Sequence, residues 1–191
     1  MIRYAQNTDS WEDWQLDYRL GLILIMPPKE VSDLIDPLRE RYDPKSHATC
    51  STHISVSDPL SLEMTPDLET EIRAILQDFQ PFELHFRTLH ASSKHPGVSY
   101  SIHPEEPIRA LQEALHKSRA FAGKVYKRRH IPPHMTIAEF ISIPESLKLC
   151  DQLQDTAPKG SFLCDRLEFI VPDDNMRWHR EITFMLGSSE T

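Results

Sequence analysis

Two short segments of the chain hold residue types suited to proton transfer: Thr52-His53-Ile54-Ser55-Val56 and Pro133-His134-Met135-Thr136-Ile137. In each, a histidine stands two positions before a hydroxyl residue, with apolar residues between and after. Successive side chains of a β-strand point to opposite faces, so as strands these segments put His53 with Ser55, and His134 with Thr136, on one face. Ile54, Val56, Met135 and Ile137 take the other. Histidine and hydroxyl lie roughly 7 Å apart within each pair, two strand residues of about 3.3 Å each. One imidazole can accept a proton near neutral pH while a second donates one. The two hydroxyls can hydrogen-bond a phosphate held between them. That inventory fits phosphodiester chemistry without a metal.

The pattern is short, and with 10 His in the chain chance alone supplies roughly half a match. A third instance, His47-Ala48-Thr49-Cys50, follows the turn-like Asp43-Pro44-Lys45-Ser46. It ranks below His53 because it falls at a strand entrance, although on an extended chain it shares a face with His53 and Ser55. Context singles out the other two. Each follows a helical pattern, and they lie 81 residues apart, from 53 to 134, as two similar lobes facing each other require.

The elements that must position them follow from apolar periodicity. Helical stripes run through Val31, Leu34, Ile35 and Leu38; through Leu68, Ile72, Ile75, Leu76 and Phe79 after Thr65-Pro66-Asp67; through Ile108, Leu111, Leu115 and Ala122; and through Leu147, Cys150 and Leu153. Strands are expected near 20–26, 50–57, 82–89, 97–102, 134–142, 162–171 and 177–186. In the last, Trp178, Ile182, Phe184 and Leu186 share an apolar face that Arg180 interrupts. This mixture predicts an α+β fold of two similar lobes, each a small antiparallel sheet backed by helices, around a central cleft. Only 5 Gly occur and no flexible linker divides the lobes, so residues 19–191 read as one bilobal domain. Residues 1–18 form an N-terminal extension whose Trp11, Trp14 and Tyr18 are expected to pack against the body.

The paired motifs, with Pro133 immediately before the second, resemble the 2H phosphoesterase superfamily of 2′-5′ RNA ligase-like proteins and cyclic nucleotide phosphodiesterases. The resemblance extends to the apolar strand Leu20-Gly21-Leu22-Ile23-Leu24-Ile25-Met26-Pro27 and the helix between it and the first motif, over residues 19 to 187. It implies that His53 and His134 are the catalytic acid and base and that Ser55 and Thr136 hold the phosphate. Ser55 stands where the family more often has Thr, which keeps the hydroxyl and loses a methyl. The implied activity is a metal-independent phosphodiesterase on 2′,3′-cyclic or 2′-5′-linked nucleotides or RNA ends; 2′-5′ ligation is its reverse. The alternatives are a hydrolase of non-nucleotide or ADP-ribose-type cyclic phosphates, or a nucleotide-binding module without turnover.

Composition bounds the partners. A net charge of −8 disfavours tight binding to long nucleic acid, which rests on many Lys/Arg–phosphate contacts. A small nucleotide or short RNA needs only a local cationic pocket, for which Lys124, Lys127, Arg128 and Arg129 are candidates. Tyr100 and Tyr126 could stack on a base, but core packing is the simpler expectation for each. Cys50, Cys150 and Cys164 have neither disulfide nor zinc spacing, and no metal, cofactor or obligate protein partner is expected. With no signal peptide or long apolar run, a cytoplasmic protein without membrane contact is expected.

Overall fold

Most of the expected strands and helices form, and the computed structural model, which describes residues 2–123 and 126–187, arranges them around one sheet. The order is α1 (Asp13–Leu16), β1 (Leu22–Ile25), α2 (Lys29–Tyr42), α3 (Pro44–Thr49), β2 (Ile54–Ser55), α4 (Pro66–Gln77), β3 (Phe82–Ala91), β4 (Val98–His103), α5 (Glu106–Leu115), β5 (His134–Ala138), α6 (Ile143–Leu153), β6 (Gly160–Cys164), β7 (Arg166–Pro172) and β8 (Trp178–Met185). The strands pair antiparallel in the order β6-β3-β4-β5-β2-β1-β7-β8. The α+β class holds. In place of two separate sheets there is one continuous sheet, with four strands on each side of the seam between β2 and β5.

The expected strand 162–171 is two strands. Asp165 alone separates β6, at one end of the sheet, from β7, next to the other end. One residue spans at most about 3.6 Å, so the sheet must curl until its two ends nearly meet. Its helix-side face carries Ile23, Ile25, Ile54, Val56, Met135 and Ile137 among others, packed against Ile35 of α2, Ile72 of α4, Leu111 of α5 and Leu149 of α6. Helix starts are encoded locally. The Thr65 hydroxyl accepts from the Leu68 N–H at 3.3 Å, and Ser142 and Glu145 form a capping box. Gly21, at φ +78°, admits the chain to β1; a Cβ there would sit 2.4 Å from the Ile170 carbonyl oxygen.

Two local expectations change. Asp43-Pro44-Lys45-Ser46 is not a turn into a strand but the start of α3: the Asp43 side chain accepts from the Ser46 N–H, and Pro44 takes the first helical position. His47 therefore sits on a helix and does not share a strand face with His53. In β8 a bulge intervenes, since Phe169 pairs with Ile182 but Ile170 pairs with Arg180. Glu181 is the extra residue, and it reverses the alternation. Ile182 and Phe184 face the main core, whereas Trp178 packs against the smaller cluster of Leu22, Leu24, Cys50 and Ile170 on the opposite face.

Candidate active site

The site is built on that opposite face, at the seam. Ile54 of β2 pairs with Met135 of β5, and both side chains are fully buried in the core. Alternation then turns the neighbours on either side toward the other face. Antiparallel register sets His53 across from Thr136 and Ser55 across from His134, each pair about 4.5–5.5 Å apart at Cβ; the two histidines are diagonal neighbours at about 7–8 Å. All four line one cleft of about 430 Å³, together with Thr49, Arg128, Glu139, Trp178 and others.

Both imidazoles are held alike. His53 Nδ1 lies 2.8 Å from the Ser51 carbonyl, and His134 Nδ1 lies 2.8 Å from the Pro132 carbonyl. A carbonyl only accepts, so each Nδ1 carries the hydrogen and each Nε2 is the nitrogen left to exchange a proton. Trp178 stacks on the His53 ring, with centroids 5.9 Å apart and planes at 27°. Burial, assisted by the Arg39 charge, pushes the His53 pKa from 6.5 down to about 4. At neutral pH His53 is therefore an unprotonated imidazole.

The supports of this arrangement converge on α2 and the residue that caps it, through Asp36 and Arg39 of the helix and Asp43 just beyond its end. Arg39 is 1% exposed. Its guanidinium donates to the Thr136 carbonyl at 2.6 Å, to the Cys50 carbonyl at 2.8 Å and to the Ser46 hydroxyl at 3.1 Å. Asp36 accepts from the Thr52 N–H at 2.8 Å, and Asp43 accepts from the Glu139 and Phe140 N–H groups at 2.7 and 3.0 Å. One helix thus ties the approach to the first histidine to the strand of the second. Sequence reasoning missed this trio. The available signal was an arginine four residues after Ile35, on the buried stripe of an amphipathic helix.

Of the basic run, Arg128 lines the cleft, near Asp58 at 3.7 Å, while Lys127 points outward; Lys124 lies outside the described residues. Tyr100 is a core residue that donates to the Pro158 carbonyl at 2.8 Å, and Tyr126 stacks on His116 at 3.9 Å. The extension also reaches the site, for Trp14 and Tyr18 line the same cleft. Among the described residues no helix is long and apolar enough to cross a membrane, and no three His, Cys, Asp or Glu side chains are grouped to hold a metal.

A curled antiparallel sheet with two facing His-x-Ser/Thr strands at its centre defines a phosphoesterase of the 2H class. The chain belongs to the 2′-5′ RNA ligase superfamily, whose family model matches residues 27–175, and is by class a phosphoric diester hydrolase. It is 27% identical over 172 residues to a Bacillus cytotoxicus protein named "Putative phosphoesterase", covering 88% of this chain and 97% of that one. An Oceanobacillus iheyensis protein of the same name is 28% identical over 169 residues, covering 86% and 96%. Among solved structures, Escherichia coli LigT without ligand aligns at a TM-score of 0.58 and 15% identity over 87% of this chain and 96% of LigT. LigT complexed with 3′-AMP aligns at 0.57 and 15% identity, over 87% and 97%. These structural likenesses establish the shared fold.

Proposed function

We propose that the protein hydrolyses a 2′,3′-cyclic or 2′-5′-linked phosphodiester of a small nucleotide or RNA end, with His53 as general base and His134 as general acid. The observation that carries this reading is the diagonal pair of imidazoles, each with its Nδ1 bonded to a carbonyl and its Nε2 free for proton exchange. Ser55 and Thr136, one beside each histidine, donate to the phosphate oxygens, and Arg128 offsets their charge. For a 2′,3′-cyclic phosphate, water gives its proton to His53 as its oxygen bonds to phosphorus. The opposite ribose oxygen leaves and takes a proton from His134, and solvent then restores both imidazoles. The nucleotide assignment draws support from the fold shared with LigT, which has been solved in complex with 3′-AMP.

The test is turnover on a panel of 2′,3′-cyclic nucleotides and 2′-5′ dinucleotides in EDTA, with the His53→Ala/His134→Ala double variant as control. Turnover is expected on at least one linkage, insensitive to EDTA because the two imidazoles supply both proton transfers, and absent in the control. Turnover by wild type on no member would overturn nucleotide hydrolysis and leave either a non-nucleotide phosphodiester as substrate or a binding role without turnover.

A pH profile examines the base. A general base must be unprotonated, so kcat/KM falls as pH drops through its pKa. For His53 that limb is expected near 4, well below the usual 6.5. An acid limb at 6.5 or above would remove His53 from the role.

A further inference from the structure

The family match begins at residue 27, yet residues 14 and 18 of the extension form part of the cleft wall. From the His53 ring a chain of aromatic contacts leads outward. Trp178 meets Tyr18 at 5.4 Å, Tyr18 meets Trp14 edge-on at 6.0 Å, and Trp14 meets Phe140 at 6.2 Å. Lys45 Nζ lies 4.4 Å from the Phe140 ring centre. Trp14 and Phe140 remain 41% and 42% exposed. Exposed rings grouped around a cleft mark a surface for a ligand more often than a surface for water.

This wall is not a by-product of helix stability. α1 has four residues and buries none of them, far short of the length at which a helix persists alone. Specific contacts hold it in place. Glu12 accepts from the Trp14 indole N–H at 2.7 Å and pairs with Lys45 at 3.1 Å, while Asp17 lies 3.9 Å from Lys127. The Trp11 indole donates to the Asp174 carbonyl at 3.0 Å. Glu12 and Asp17, which flank α1, thus pair with Lys45 and Lys127 of the body, and Glu12 also orients the Trp14 ring.

The cleft therefore has a polar inner end, with two imidazoles, two hydroxyls and the Arg128 guanidinium, and an outer end walled by flat π-faces. A ligand matching both ends carries a phosphate and a planar aromatic group. An aliphatic or sugar-only phosphodiester would leave the outer faces wet. We propose that Trp14, with Tyr18 and Phe140, forms a base subsite in which the nucleobase stacks while its phosphate lies between His53 and His134, so that the N-terminal extension sets substrate preference. This inference rests on the nucleotide reading above.

The test is calorimetric binding of 3′-AMP and of base-free ribose 3-phosphate to wild type, Trp14→Ala, Trp14→Phe and Phe140→Ala, run beside hydrolysis of 2′,3′-cyclic AMP. Stacking on an aromatic side chain is expected to favour 3′-AMP about ten- to hundredfold in wild type. Trp14→Ala should erase most of that preference, Trp14→Phe should keep much of it, and the affinity for ribose 3-phosphate should stay constant. Equal affinities in wild type, a preference unmoved by Trp14→Ala and Phe140→Ala, or no binding of either ligand would overturn the subsite. The two readings fail separately. Hydrolysis without base preference sinks the subsite alone, while base-dependent binding lost in Trp14→Ala without any hydrolysis sinks the activity alone.

Discussion

His134→Ala is expected to lower kcat/KM on a 2′,3′-cyclic nucleotide by about 10²- to 10⁴-fold, the usual contribution of one positioned acid or base. His53→Ala should lose a similar amount, and the two losses should differ in what reverses them. An alkoxide leaving from ribose needs a proton, and the general acid supplies it. A phosphodiester with a p-nitrophenolate leaving group needs none, so on that substrate His134→Ala should recover most of its rate. His53→Ala should not recover, because the attacking water still lacks its base. Rescue of His53→Ala instead would exchange the two roles. Undiminished turnover in either variant on the cyclic substrate would end the two-histidine mechanism.

Arg39→Met should cost about 3 kcal/mol of stability, and its effect on the site should be readable apart from that loss. Methionine fills much of the volume but satisfies none of the acceptors at Thr136, Cys50 and Ser46. Each buried acceptor left without a donor costs about 1–3 kcal/mol. For a chain of this length that lowers Tm by about 6–12 °C, measurable by calorimetry. A Tm within 2 °C of wild type would show that the Arg39 bonds are energetically idle. The electrostatic consequence runs in parallel. Arg39 opposes protonation of His53, so in Arg39→Met the acid limb should move up from about 4 toward 6.5. Arg39→Lys keeps the charge and loses the fork, so it should destabilise while leaving the limb low.

The features legible in the sequence are those a two-residue or 3.6-residue period encodes. His53 and Ser55 share a face because Ile54 and Val56 must be buried, and the capped helix starting at Thr65 announces itself through Pro66 and its apolar stripe. The failures have a common physical origin, because they depend on what a residue meets far along the chain. Nothing near Asp165 signals that one residue carries the strand from one end of the sheet to the other. Trp178 shares a parity with Ile182, and only the bulge at Glu181, a feature of pairing with β7, turns it toward His53. Arg39 looks like a solvated helix residue until Thr136, 97 positions away, supplies an acceptor.

The position of β1 has a consequence for how the protein is made. Its four residues, Leu22 to Ile25, are buried on both faces, and its neighbours in the sheet are β2 and β7. On the ribosome β2 emerges soon after β1, but the pairing of Leu22 with Ile170 waits for nearly the whole chain. At about 5–20 residues per second, that is roughly seven to thirty seconds in which an unpaired apolar strand edge is open to other nascent chains. The early partner of β1 is the two-residue β2, whose other edge stays unpaired until β5 appears. Such long-range pairing slows folding. The half of the sheet that carries His53 takes β1 and β2 from early in the chain and β7 and β8 from its end, so it is the last part of the cleft to close.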